Sequence, residues 1–215
     1  PLDLAVNNLE GDAGAGGLFV ADVGGLTIGG ISRTVGLKAG GDRSRNDFFT
    51  TLLFPGGINV TTSGPLTILE DVVTEGALLL TTTETAGSDS LTIAAGATVR
   101  NPLQNVTLLS ADNLVVAGTV DSAAKSILRA FNDIDVQSTG IVRAVDQVLL
   151  TGDDGAANSI GSTVAVAGQL IAPTIQIRGG ADSDKLVIGS LVLAGHTETV
   201  WNITASNAGN IDNVN

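Results

Sequence analysis

Apolar residues recur along this chain in pairs spaced two apart: Leu91 and Ile93, Val106 and Leu108, Leu114 and Val116, Ile134 and Val136, Val148 and Leu150. That spacing is the period of a β-strand with one buried face. Each run is short and is bounded by Gly, Asp, Asn or Ser, the residues that turn a chain. The spacing therefore predicts many short strands and no helix.

The strands repeat in groups. Units open on Leu66, Leu91, Leu114, Ile134, Val164 and Leu186, with starts 25, 23, 20, 30 and 22 residues apart. The long fourth unit holds its surplus in GDDGAANSIG, residues 152–161, which is turn chemistry throughout. Three strands per unit, with successive units related by translation, predict an all-β chain folded as a right-handed parallel β-helix (β-solenoid) with coils of about 20–25 residues. Coils stacked at about 4.8 Å would make a rod of nine or so coils, roughly 45 Å long. A β-sandwich also has short strands between turns, but gives no reason for the strands of a unit to recur in order. The expected organisation is one β-helix domain over residues 1–215. Residues 66–215 form its regular coils, and residues 1–65 form less regular N-terminal coils with an insertion near 36–57.

Composition fits a rod built from small and branched side chains. Hydrophobic residues are 43% of the chain while aromatics are 3%, and there are 28 Gly, which favours pleated strands over packed helices. A formal charge of -12 argues against nucleic acid and anionic membranes as partners, since phosphates need concentrated Lys and Arg. The absence of Cys excludes disulfides and thiolate metal sites. No run approaches the 18 to 20 or so apolar residues of a membrane-inserted helix, and Pro1 reads as the start of a processed or excised piece.

Polar residues precede the first strand of successive units: Ser88, Asp89 and Ser90; Asp112 and Asn113; Asn132 and Asp133; Ser162 and Thr163; Asp184 and Lys185. Stacking would place them at one corner, where Asn and Asp serve turns by bonding to neighbouring amides. The sharper expectation is Ca²⁺ held by Asp153, Asp154, Asp182 and Asp184, because hard cations take carboxylate and carbonyl oxygens. Lys38, Arg43 and Arg45, with Arg33 nearby, gather four of the ten basic residues into a run that could grip a carboxylated glycan or an acidic neighbour, though such runs are commonly solvated loops.

Enzymatic chemistry finds little purchase. Glu70, Asp71 and Glu75 do not make an acid–base pair by spacing, His196 has no evident partner, and GDDG lacks the Lys and Ser or Thr of a phosphate loop. The TTTET run at 81–85 suggests a threonine ladder of the kind that binds ice, but neighbouring units offer Leu109, Ala111, Ala130 and Phe131 instead. Trp201 is expected to cover the end of the apolar column.

Several segments carry a family resemblance. VNNLEGDAGAGGLFVADVGGLTIGG, LTILEDVVTEGALLLTTTE, DNLVVAGTV and VWNITASNAGNIDNVN resemble pieces of the large repetitive bacterial surface proteins related to filamentous haemagglutinins and haemagglutinin-like adhesins. The resemblance implies an extracellular or surface-attached β-helix serving as stalk, adhesive rod or matrix component, with no catalytic residues to carry over. Its partners would be host or matrix glycans or proteins. Since neither end shows a capping amphipathic helix, the ends would meet further coils of a longer parent or other copies end to end. The expected function is structural or adhesive and non-enzymatic. The alternative is a β-helix carbohydrate-active enzyme or a glycan-binding module.

Overall fold

Leu91, Thr92 and Ile93 show how the coils form. The outer two residues are fully buried and the middle one half-buried, so three residues suffice to place one side chain outside and two in the core. The structure, a computed structural model, describes residues 1–31, 35–39, 56–85, 88–155, 161–180, 182, 184–189, 200–204 and 211–214. Nearly all its regular elements come in sets of three strands.

The first coil holds β1 (Leu2–Leu4), β2 (Asn8–Leu9) and β3 (Gly11–Ala13), and the second β4 (Leu18–Asp22), β5 (Leu26–Ile28) and β6 (Val35–Ala39). The third holds β7 (Ile58–Thr62), β8 (Leu66–Ile68) and β9 (Asp71–Thr74), and the fourth β10 (Leu78–Thr82), β11 (Leu91–Ile93) and β12 (Thr98–Asn101). The fifth holds β13 (Val106–Ser110), β14 (Leu114–Val116) and β15 (Thr119–Ser122), and the sixth β16 (Lys125–Ala130), β17 (Ile134–Val136) and β18 (Ile141–Ala144). The seventh holds β19 (Gln147–Thr151), β20 (Thr163–Val166) and β21 (Gln169–Ile171). Beyond it lie β22 (Thr174–Arg178) and β23 (Asp184–Ile188), then β24 (Val200–Thr204) and β25 (Ile211–Val214).

Every strand pairs in parallel with its equivalent one coil away, giving a first sheet of nine strands from β1 to β24, a second of nine from β2 to β25 and a third of seven from β3 to β21. This is a parallel β-helix, as the repeat predicts. The six residues that open the sequence units lie in one column of the second sheet: Leu66, Leu91, Leu114, Ile134, Val164 and Leu186 pair in succession. Leu26 extends the column towards the N-terminus through its pairing with Leu66. A second inward column, Ile28, Ile68, Ile93, Val116, Val136 and Val166, runs beside it. Inward columns from all three sheets merge into one apolar core along the rod, so each coil buries its apolar face only against its neighbours.

The described N-terminal residues also form strands that join the three sheets. Residues 35–39, which overlap the start of the expected insertion, form β6, paired with β3 and, through a register shift, with β9. Residues 40–55, the bulk of that expected insertion, lie outside the described residues, as do Arg33, Arg43, Arg45, His196 and the side chain of Trp201.

Backbones come close where the second sheet turns into the third. A Cβ on Gly118 would lie 2.3 Å from the Ala97 carbonyl oxygen, one on Gly140 2.2 Å from that of Val116, and one on Gly168 2.3 Å from that of Gly140. Real Cβ atoms do not approach backbone oxygen so closely, so glycine is required here by space.

Candidate functional site

The turn from the first sheet to the second collects most of the polar residues singled out in the sequence. Its inner lining is a run of buried side chains at the ends of successive first-sheet strands, in which Asp22, Thr62 and Thr82 pair in register and Ser110 follows. These side chains serve the turn backbone. Thr62 Oγ1 donates to the Gly64 carbonyl at 2.7 Å, Thr82 Oγ1 to that of Asp89, and Ser110 Oγ to that of Asn113 at 2.7 Å. Thr82 Oγ1 also accepts from Ala111 N at 2.9 Å. Buried turn amides and carbonyls thus find partners that the parallel ladders cannot offer them.

Outside this lining runs a ladder between coils. Asp112 Oδ2 accepts from Ser90 Oγ at 2.9 Å and Ser88 Oγ at 3.1 Å, and its Oδ1 accepts from Asn132 Nδ2 at 2.6 Å. Asn113 Oδ1 accepts from Asp133 N at 3.1 Å, Asp133 Oδ1 from Thr163 N at 2.6 Å, and Asp184 Oδ1 from both N and Oγ of Ser162 at 2.9 Å. Burial pushes the Asp112 carboxyl up, but the hydrogen bonds from Ser90, Asn132, Ser88 and the Asn113 backbone outweigh it and hold the group below the usual carboxylate range. The corner is a polar turn ladder in which Asp112, Asn113, Asp133 and Asp184 bond to a neighbouring coil, while the Asp89 carboxylate accepts from Thr85 Oγ1 within its own turn.

The four carboxylates considered for Ca²⁺ divide between different tasks. Asp154 is ion-paired with Arg129. Asp184 is spent on Ser162, and Asp153 Oδ2 accepts from Asp182 N at 3.5 Å. Asp153 sits at φ +48°, a left-handed conformation that Asp tolerates better than most residues. Asp153 and Asp182 are therefore neighbours, while Asp154 faces a cation. Among the described residues no group of three or more His, Asp or Glu side chains gathers as an ion site requires.

The other candidates are spread over the rod. Glu70 Oε1 accepts from Gly30 N at 3.2 Å at the second-to-third turn, and Asp71 Oδ1 accepts from Thr98 N at 2.8 Å. Glu75 lies past the far end of β9, so strand geometry puts it about 16 Å from Glu70. Thr81 pairs with Thr61 on one side and Leu109 on the other, which breaks the threonine ladder, and the side chain of Thr82 is buried.

Lys38 points outward on the third sheet, in a lateral column that continues through Val73, Arg100, Asp121 and Arg143. Arg143 Nε and Nη2 donate to the two oxygens of Asp121 at 3.0 and 2.9 Å, and Arg100 approaches the same carboxylate at 3.4 Å. The hydrogen bond to Asp121 raises the Arg143 pKa further, so the guanidinium stays charged. Sequence reading passed over this column, although its signal was present: Arg100, Asp121 and Arg143 each follow an inward valine, Val99, Val120 or Val142.

Comparison with protein-family models, with curated proteins and with solved structures returns no match. What the chain does therefore rests on its own geometry.

Proposed function

We propose that this chain is a structural, non-enzymatic segment of a rod presented outside a bacterial cell, where it serves adhesion or the assembly of a surface layer. One observation carries this reading: parallel pairing runs from coil to coil along two sheets of nine strands, over apolar columns inside and with side-chain ladders at the corner of the central coils. Such a body transmits load along its axis and displays its outward side chains at a fixed spacing of about 4.8 Å. The sequence resemblance to haemagglutinin-like surface proteins points the same way.

Electron microscopy of the negatively stained protein, combined with binding and turnover assays on immobilised polysaccharides and matrix proteins, tests the proposal. The expected result is short rods that bind a surface without releasing product. Release of oligosaccharides by the purified protein would overturn it in favour of a carbohydrate-active enzyme.

A further inference from the structure

Charge is not spread evenly over this acidic rod. The strands of the first sheet from β4 to β22 point their alternate residues outward, and among those described residues none is acidic, while Lys125, Arg129 and Arg178 are basic. With 22 acidic residues against 10 basic ones in the chain, this face stands apart from the corners, where the carboxylates gather. It is also partly apolar: Phe19, half exposed, and the half-buried Leu79, Leu109, Ile127 and Leu149 point away from the core. Two of the side-chain polar atoms that lack a hydrogen-bond partner, Asn59 Oδ1 and Thr151 Oγ1, sit here as well.

We infer that this face pairs with the same face of a second copy, with the two rods side by side and antiparallel. The inference rests on the structural reading above and names a partner for it. The position of the charges selects the arrangement. All three cations lie in the C-terminal half of the face, on β16 and β22, and the half formed by β4, β7 and β10 has no outward charge. Parallel rods, related by a two-fold axis along the rod, would set β16 against β16 with its strand direction reversed and so bring Lys125 against Arg129, a like-charge contact in a drying interface that the Arg129–Asp154 ion pair only partly offsets.

A two-fold axis along the strands at β13 instead reverses the coil order and keeps each column opposite itself. In the pairing register of the sheet, Arg129 then meets Thr81, Arg178 meets Ala21, Ile127 meets Leu79, and Leu109 meets its own copy on the axis. Leu149 meets Asn59 and Phe19 meets Gln176 at the flanks, so the apolar contact is concentrated around the axis, and each cation meets a neutral half. Seven strands about 4.8 Å apart and five residues wide give a face of about 30 by 16 Å. Two such faces bury about 1,000 Å² together, the lower bound for a specific interface. The pair is accordingly a concentration-dependent one, suited to bundling rods that are held close together.

The chain has no Cys, so single cysteines report the arrangement. Sedimentation velocity over a concentration series is run on the wild type and on Leu109→Asp, which places two carboxylates on the axis. Thr107→Cys and Thr174→Cys are treated with a bismaleimide reaching about 10 Å, the separation of packed sheets. The expected result is a wild-type dimer, association at least about tenfold weaker in L109D with an unchanged circular dichroism spectrum, and cross-linking at 107 but not at 174. A monomer at every concentration, a dimer that survives L109D, or equal cross-linking at both positions would overturn the antiparallel pair. Those failures leave the rod reading intact, whereas turnover of a polysaccharide would remove that reading without changing the cross-linking pattern.

Discussion

Asn101 Nδ2 donates to the carbonyl oxygen of Gly76 at 2.6 Å, joining the third-to-first turn of one coil to that of the coil before. The same amide donates to the Asn105 carbonyl at 3.1 Å, and its Oδ1 accepts from Leu103 N at 3.1 Å and Gln104 N at 2.8 Å. The residue is fully buried and uses its entire hydrogen-bonding capacity. Asn101→Asp would lose both donated bonds and bury a charge, at a cost of about 3 kcal/mol or more. Urea denaturation would show the loss. Because a solenoid is held by neighbour contacts, hydrogen exchange should rise first in the fourth and fifth coils.

Space at the second-to-third turn gives a second expectation. Gly140→Ala forces a Cβ to 2.2 Å from the Val116 carbonyl oxygen, which only a backbone shift can relieve. It should destabilise by about 2 to 3 kcal/mol, in the range of overpacked sites. Gly14→Ala, where a Cβ meets nothing within 4 Å, should change stability by less than about 0.5 kcal/mol. Comparing the two in one thermal melting series separates the close approach from a general effect of losing glycine.

The corner ladder has a pH signature. With its folded-state pKa depressed, Asp112 contributes stability that is present above the unfolded carboxylate pKa and is lost as pH falls through the lower folded value. Asp112→Asn should therefore flatten the fall of the urea midpoint below about pH 4, while leaving the pH 5 to 7 plateau level. An unchanged acid limb in D112N would show that other carboxylates set it.

Calcium can be tested directly. A cation bound between Asp153 and Asp154 would compete with Arg129 for Asp154. The expectation is a melting temperature that moves by less than about 1 °C between millimolar Ca²⁺ and EDTA, since only binding to the folded state raises it. A rise of several degrees in Ca²⁺, abolished by Asp153→Asn, would establish a site.

Much of the fold is legible in the sequence because the strand signal is local. Leu91 and Ile93 stand two apart whatever the rest of the chain does, and the unit openings from Leu66 to Leu186 fall in one physical column. The N-terminal coils were harder to read because Val35–Ala39 pairs through a register shift and has no sharp alternation in sequence. Of the candidate residues, the corner set from Ser88 to Asp184 was legible as a stack. What each member bonds to was not, since those partners lie about 20 to 30 residues away.

By itself the sequence determined the coil: alternation sets which side chains face inward, and Gly, Asp, Asn and Ser set where the chain turns. Only the tertiary structure decided which coil-to-coil neighbours meet. It put Arg143 on Asp121, Arg129 on Asp154 and Asn101 on Gly76, and it left the outward face from β4 to β22 without acidic residues. The physical reason is that parallel pairing brings together residues one coil apart, and coil length varies. A contact between coils therefore depends on the accumulated register of the stack, which no local pattern records.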